Sequence, residues 1–340
     1  MKKWLKRLAI LVVILMVLLL LFVFSVWNGT FQYSMASALG SFGNPYFNAD
    51  QYSGEKNCDS AAQCASGPIR VMTYNVMCRV CDKNRPEFDP WTERLPYLCE
   101  RIAKYDPDLL GMQELGGYAD LEDFHKVFPQ YDYVTYTFGK WAYGDCALYY
   151  RKDRFEVLDS GQLWLSPKPT LPFAIAWKAS MPRYVNWAYM RQKKDGFQFL
   201  YLNTHFDNAG VNKEPAAVFF AKTFNPIAAK MPMIVTGDFN TNSTTQRYKN
   251  LMGEGLGKLE NTYDLAQTKE LLDAASKKEF GREMDGADNP EKAIDHIFVA
   301  GPVKKEVFRW VLDSSLYDSD TKSPSDHPSV FAEFNLVLRP

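Results

Sequence analysis

The chain is poor in histidine, with four in 340 residues, so an imidazole that recurs beside an acid carries information. It also lacks a charge bias. Lysine and arginine total 39 against 40 acids, and because Lys2, Lys3, Lys6 and Arg7 lie in residues 1–27, which hold no acid, the remainder carries 35 bases against 40 acids. A body of that sign has no strongly basic footprint for tight, non-specific nucleic-acid binding. There is no internal repeat and no low-complexity tract. The Gly253-Glu-Gly255-Leu-Gly257 run has no strand leading into it and no Walker-type Lys-Ser/Thr after it, so it reads as a flexible turn rather than a phosphate loop. Cysteine is sparse as well. Cys78-Arg-Val-Cys81 has no second closely spaced pair to complete a zinc ribbon, and the six cysteines (Cys58, Cys64, Cys78, Cys81, Cys99, Cys146) fit disulfides in an exported domain, with fifteen pairings open.

What is present starts with an apolar run. Leu8–Val26 holds no charge, and at about 1.5 Å per residue it crosses most of a ~30 Å hydrocarbon core. Trp4 and Trp27 bracket it, and the flanking bases all precede it, which sets the N-terminus in the cytoplasm and the bulk of the chain outside. The expected organisation is a membrane anchor at 1–27, a spacer at 28–67 rich in Gly, Ser, Asn and Ala, and a catalytic body at 68–340. The alternative is a secreted protein with a cleaved signal peptide, for which Ala36-Ser37-Ala38 has the small-x-small form. Hydrophobic content of 46% is ample for a packed body rather than a disordered one.

From Pro68 onward, short β-branched or aromatic runs alternate with helical stretches. Strands are expected at Ile69–Asn75, Leu109–Gln113, Tyr131–Thr137, Ala147–Tyr150, Phe155–Leu158, Trp187–Gln192, Phe197–Asn203, Met233–Thr236, Ile297–Val299, Val307–Leu312 and Val330–Leu338. Helices are expected at Thr92–Tyr105 with Thr92 as N-cap, Asp120–Val127, Glu214–Ala229, Thr244–Met252 and Tyr263–Ser276. Strands joined both by tight connections and by helices imply an α/β domain with mixed sheets.

Several of these runs end in polar residues of a restricted kind. Asn75 ends the first, Gln113-Glu114 the second, and Asn203-Thr204-His205-Phe-Asp207 closes another. Asp238-Phe-Asn240, Asp295-His296 and Asp326-His327 complete the set. Strands of a sheet share a mouth, so such residues can converge on one cleft. Asn75, Glu114, Asp238, Asn240 and Asp326 are hard oxygen donors suited to Mg²⁺ or Mn²⁺, and His327 with Asp295 has the make-up of an oriented general base. Each piece alone has a plainer reading, since strand-terminal Asn and Asp commonly form turns.

The ordered motifs Val-Met-Thr-Tyr-Asn75, Gln113-Glu114, Asn203-Thr-His205-Phe-Asp207, Gly-Asp238-Phe-Asn240, Asp295-His-Ile-Phe and Ser-Asp326-His327-Pro together resemble the endonuclease/exonuclease/phosphatase superfamily over about residues 69–338. The resemblance implies a four-layer sandwich of two mixed sheets under helices, and hydrolysis of a phosphoester with Mg²⁺. It implies Glu114 as metal ligand with Asn75 and Asp326 close by, and Asp238 and Asn240 positioning the attacking water and the scissile phosphate. His327, oriented by Asp295, becomes base or transition-state partner, and His205 contacts a phosphate oxygen or assists the leaving group. Arg183 is a candidate phosphate clamp, with surface pairing as the alternative, and Asp207 either binds substrate or caps a turn. His296 is equally a site residue or a core-packed aromatic, and His125, on an expected helix, is read as a surface residue.

Apurinic-site endonucleases place a tyrosine where this chain has Asn203-Thr204-His205, which disfavours that role. The Asn-Thr-His form is shared by pancreatic-type deoxyribonucleases and sphingomyelinase-type phospholipases. The expected activity is therefore an anchored, extracytoplasmic phosphodiesterase leaning to lipid or small phosphodiester substrates. A nuclease, an inositol-type phosphatase and a non-catalytic binding module remain alternatives, and no protein partner is implied. Substrate choice is expected to depend on the loops Gly139–Asp145, Pro167–Arg183 and Phe280–Pro290.

Overall fold

The structure, a computed structural model, describes residues 2–27, 65–115, 117–136, 145–171, 174–208, 210–272, 289–318 and 322–338. Residues 28–64 of the expected spacer, with Cys58 and Cys64, and most of the loops at 139–145 and 280–290 lie outside them. Two mixed sheets form the centre. In chain order the strands are β1 (Ile69–Asn75), β2 (Leu109–Gln113), β3 (Tyr131–Val134), β4 (Ala147–Arg151), β5 (Phe155–Trp164), β6 (Tyr184–Gln192), β7 (Gln198–His205), β8 (Met233–Asp238), β9 (Glu260–Asn261), β10 (Thr268–Leu272), β11 (Asp295–Ala300), β12 (Val303–Asp313) and β13 (Ser329–Leu338). One sheet runs β10-β12-β13-β1-β2-β4-β3 and the other β5-β6-β7-β8-β11-β9.

Side-chain alternation sets the layers. In β1, Ile69 and Val71 pack between the sheets while Met72 and Tyr74 face the opposite way. Met72 and Tyr74 meet helices α2 (Trp91–Tyr105) and α3 (Tyr118–Val127) through Leu98, Ile102 and Phe124. In β7 and β8, Tyr201 and Ile234 point between the sheets, whereas Leu202 and Val235 face α4 (Gly210–Ala228) through Phe220 and Phe224. Helices, sheet, sheet and helices thus follow one another, and α5 (Gln246–Met252) joins α4 on the outer face through Leu251. The inner sheet faces come so close at Gly111 that a Cβ there would lie 2.1 Å from Thr236 Oγ1 and 2.8 Å from Asn203 Oδ1. Only glycine fits that crossing.

Element types follow the periodicity, with two departures. Of the helix expected over Tyr263–Ser276, the described residues form a single turn, α6 (Thr262–Leu265), and then strand β10, which pairs in parallel with β12 from Thr268↔Arg309 to Leu272↔Asp313, while 273–276 lie outside the described residues. An open sheet edge offers a five-residue segment more hydrogen bonds than a short exposed helix can, so tertiary pairing overrides propensity. The α2 helix starts at Trp91 behind Pro90 with no side-chain cap, so Thr92 is inside the helix rather than its cap. Helix α5 is capped by Thr245, whose Oγ1 accepts from the Tyr248 N–H at 3.2 Å.

The expected membrane span falls on α1 (Lys2–Trp27), a helix of 26 residues. Among the described residues no helix is long and apolar enough to cross a membrane. The described apolar side chains of α1 run from Ile10 to Phe24, and all are exposed. Cys78 and Cys81 form a disulfide, and Cys99 and Cys146 are free and buried.

Candidate active site

The site residues occupy the inter-sheet parity of their strands, at one end. Asp295 pairs with Asp238 across β11 and β8, and His205 pairs with Asp238 across β7 and β8. On the facing sheet Asn75 pairs with Gln113, and Glu114 follows in a left-handed turn with φ of 60°. Alternation sends every second side chain inward, so the last inward residue of each run arrives at the same mouth.

Asp238 is the hub. Its Oδ2 accepts from Asn75 Nδ2 at 3.1 Å and lies 3.3 Å from His205 Nε2 and 3.8 Å from His327 Nε2. Its Oδ1 accepts from the Asn240 N–H at 2.8 Å. The side chain of Asn240 donates away from the cluster, to the Phe206 carbonyl at 2.9 Å. Both imidazoles are held from behind by buried carboxylates: His327 Nδ1 by Asp295 Oδ2 at 2.8 Å and His205 Nδ1 by Asp145 Oδ2 at 2.9 Å.

Burial would push both histidines down, yet the acids around them win. His205 is raised to about 9 by Asp145 and Asp238, against burial and the charge of Arg183. His327 is raised above its ordinary value by Asp295 and Asp238. Burial pushes Asp295 up to about 6, with His327 opposing and Asp238 adding to the rise. Asp238 is held below the usual carboxylate range because the two imidazoles and the Asn240 N–H outweigh its burial.

Glu114 is fixed at both oxygens, by Asn75 Nδ2 at 3.2 Å and by the Cys78 N–H at 3.0 Å. Asn75 Oδ1 accepts from the Met77 N–H at 3.1 Å, so the amide nitrogen is the atom that faces the acids. The Asp326 carboxylate is ion-paired with Arg85. The structure therefore brings Asn75, Glu114, His205, Asp238 and His327 into one contact network with Asp295, and holds Asp326 to Arg85. Arg183 lies behind His205, with Nη1 3.4 Å from Asp145 and Nε 3.4 Å from Asp207. Asp207 also accepts from Ser180 N and Oγ at 3.0 and 2.6 Å. His296 faces the outer layer against Phe239, Tyr248 and Phe298, and burial lowers it to about 4, a neutral core residue. His125 is half-buried against Tyr133.

Asp238, Asp295 and His327 present three ligand atoms within 4.8 Å of one another. The buried Asp295 Oδ1 has no hydrogen-bond partner. An orphaned carboxylate oxygen in a buried acid cluster fits a divalent cation, and oxygen-rich donors fit Mg²⁺ or Mn²⁺ better than a soft ion.

Four contributors have roles that the motifs did not reveal. Asp145 orients His205, accepts from the Glu114 N–H at 2.9 Å and pairs with Arg183; an acid just before the β4 run was its only signal. Buried Arg94 donates to the carbonyls of Val76 (3.0 Å), Met77 (2.8 Å) and Pro324 (2.7 Å), tying the exit of β1 to the loop that carries His327. Arg85 reaches Asp326 across the same corner. Asn203 is a stitch between sheets: it accepts from Gln113 Nε2 at 2.7 Å and donates to the carbonyls of Met112 and Ala147.

The model of the Endonuclease/Exonuclease/phosphatase family matches residues 72–327. Nocturnin of Rattus norvegicus is 26% identical over 232 residues, covering 61% of this chain and 51% of that protein. The chain thus spans about half the length of the nocturnins it matches. The mannosyl-6-phosphatase of Bacteroides thetaiotaomicron superposes with a TM-score of 0.65 at 27% identity, covering 78% of this chain and 99% of that one. A family protein from Bacteroides vulgatus gives a TM-score of 0.67 at 26% identity, over 79% and 99% of the two chains.

Proposed function

The chain belongs to the endonuclease/exonuclease/phosphatase family, and on that premise we propose that it is a divalent-metal-dependent hydrolase of small phosphoesters. The carrying observation is the arrangement around Asp238. Two imidazoles present Nε2 to one carboxylate, and each is tethered at Nδ1 by its own buried aspartate. A carboxylate bound to Nδ1 fixes which nitrogen meets the substrate.

Asp238 aligns the attacking water, with its second oxygen pinned by the Asn240 N–H. His327 and His205 flank the phosphoryl group, hydrogen-bonding its oxygens as the P–O bond to water forms and the ester bond breaks. Asn75 Nδ2 donates to both Asp238 and Glu114, bridging the two acids. Asp238, Asp295 and Glu114 would hold the cation, with Asp326 next to His327 in the chain. When bound, such an ion polarises the phosphoryl oxygens and neutralises the charge that builds on them. Arg183 and Asp207 support His205 from behind.

For substrate, an acidic body and the likeness to a mannosyl-6-phosphatase over nearly all of that chain support a phosphorylated sugar or similar small phosphoester ahead of a polymer. The unbroken exposed apolar run Ile10–Phe24 of α1 and the Cys78–Cys81 bridge support a body held outside the membrane, with 28–67 as spacer and 68–340 as the catalytic domain.

The test uses the full chain in detergent. Phosphate release from mannose 6-phosphate and inositol phosphate is followed in parallel with cleavage of sphingomyelin vesicles and linear DNA, in Mg²⁺, Mn²⁺ or chelator. Metal-dependent release from the sugar phosphate, lost in His327→Ala, is the expected result. Cleavage of the lipid alone or of DNA alone replaces the substrate assignment, and the absence of all turnover makes the chain a binding module.

A further inference from the structure

Cys78 and Cys81 sit beside Glu114, and the phosphoester reading gives them no task. Cys78 lies three residues beyond the end of β1, and Cys81 opens a short 3-10 turn, Cys81–Asn84. The Cys78 N–H donates to Glu114 Oε2 at 3.0 Å, and Cys81 Sγ lies 3.7 Å from the same oxygen. One ligand atom from each of Cys78, Cys81 and Glu114 falls within 4.8 Å of the others. Arg79, the neighbouring cation, is turned away from the sulfurs and paired with Asp120 and Asp123. Cys81 and Glu114 are only partly buried, so an ion can enter from solvent.

We infer that these three residues form a redox-gated site for a soft divalent cation such as zinc, open when the disulfide is reduced and closed when it is formed. A disulfide sulfur carries no charge and is no ligand, whereas the thiolate binds zinc strongly. Reduction adds two electrons and two protons, taken from an external dithiol that becomes a disulfide in turn. The S–S bond breaks and two thiols form. Zinc then displaces both thiol protons to solvent and takes two sulfurs and one Glu114 oxygen, leaving a fourth position for water.

The consequence for catalysis rests on the proposed function, because it draws Glu114 away from Asn75 and from the cation that the phosphoester reaction uses. Zinc capture would therefore inhibit the reduced chain. The binding itself does not depend on that reading.

The test is a cobalt titration of the full chain in detergent, in a Cys58→Ser/Cys64→Ser background so that neither of these cysteines can contribute a ligand. One sample is oxidised. The other is treated with dithiothreitol and desalted under argon. The reduced chain is expected to develop a near-ultraviolet thiolate-to-cobalt charge-transfer band that saturates at one equivalent and is displaced by zinc. The oxidised chain and Cys81→Ser show no band, and Cys81→Ala gives the same result if the serine variant fails to fold. Glu114→Gln binds at least tenfold more weakly. A reduced chain without the band overturns the site, as does a band that survives in the folded Cys81 variants or is unchanged in Glu114→Gln. A chain that hydrolyses no phosphoester still reports on the site through cobalt.

Discussion

The guanidinium of Arg85 and the carboxylate of Asp326 form an ion pair that joins positions 241 residues apart. It sits next to His327 and beside the loop that clamps Glu114. Arg85 also lies over the Phe88 ring at 4.3 Å and reaches Glu87 at 3.2 Å. Both partners also keep a buried polar atom without a hydrogen-bond partner, Arg85 Nη2 and Asp326 Oδ1.

Replacing Arg85 by Ala removes one side of a mostly buried pair and leaves the Asp326 carboxylate uncompensated. The expected cost is about 1–3 kcal/mol, seen as a lower melting temperature. Turnover should fall roughly tenfold (about 1.4 kcal/mol of barrier) as the His327 loop loses its anchor. A variant with wild-type melting and wild-type turnover would show that the pair positions nothing.

The tethers behind the imidazoles should matter as much as the imidazoles do. His327→Ala is expected to reduce kcat by about 10²–10⁴-fold. Asp295→Asn keeps the shape but loses the charge that fixes Nδ1, and should cost on the order of 10²-fold or more in kcat with little change in KM. Asp145→Asn makes the same test for His205. If either asparagine variant turns over within a factor of three of wild type, the orientation argument fails.

Gly111→Ala should be disproportionately disruptive for a single methyl group. The added carbon would meet Thr236 Oγ1 at 2.1 Å and Asn203 Oδ1 at 2.8 Å, and both atoms belong to the stitch between sheets. Overpacking of this kind costs about 3 kcal/mol at the upper end of the usual range. Urea unfolding measures it, and a loss under about 0.5 kcal/mol would mean that the sheets part easily at this crossing.

Away from the site, Asp313 supplies a pH dependence with a definite sign. Burial would raise its carboxyl, but Arg101, Ser315, Tyr105 and Lys104 outweigh that and hold it well below the usual range. Tyr105 Oη donates to it at 2.6 Å and Lys104 Nζ at 2.9 Å. A depressed folded-state pKa stabilises the fold above the unfolded value of about 3.9 and stops doing so as the pH falls through the folded value. The stability gap between wild type and Asp313→Asn should therefore be full at pH 7 and shrink steadily below pH 4. Equal gaps at pH 7 and pH 3 would contradict it.

The strand-end motifs were legible because alternation is local: Asn75, His205, Asp238 and Asp295 each occupy an inward position at the end of a run, and the runs can be read from the chain. The turn-and-strand at 262–272 was not, since its state depends on an edge that β12 provides from more than thirty residues away. Nor were the roles of Asp145, Arg94 and Arg85, whose partners come from other segments.

By itself the sequence determined the alternating α/β pattern, the inward parity of the acids and imidazoles, and the family they belong to, because periodicity and residue type act over a few neighbouring positions. The tertiary structure decided which aspartate stands behind which histidine, which carboxylate an arginine claims, and that a Cys-x-x-Cys loop lies against Glu114. Those pairings depend on how two sheets meet face to face, and no local run of residues encodes the distance between them.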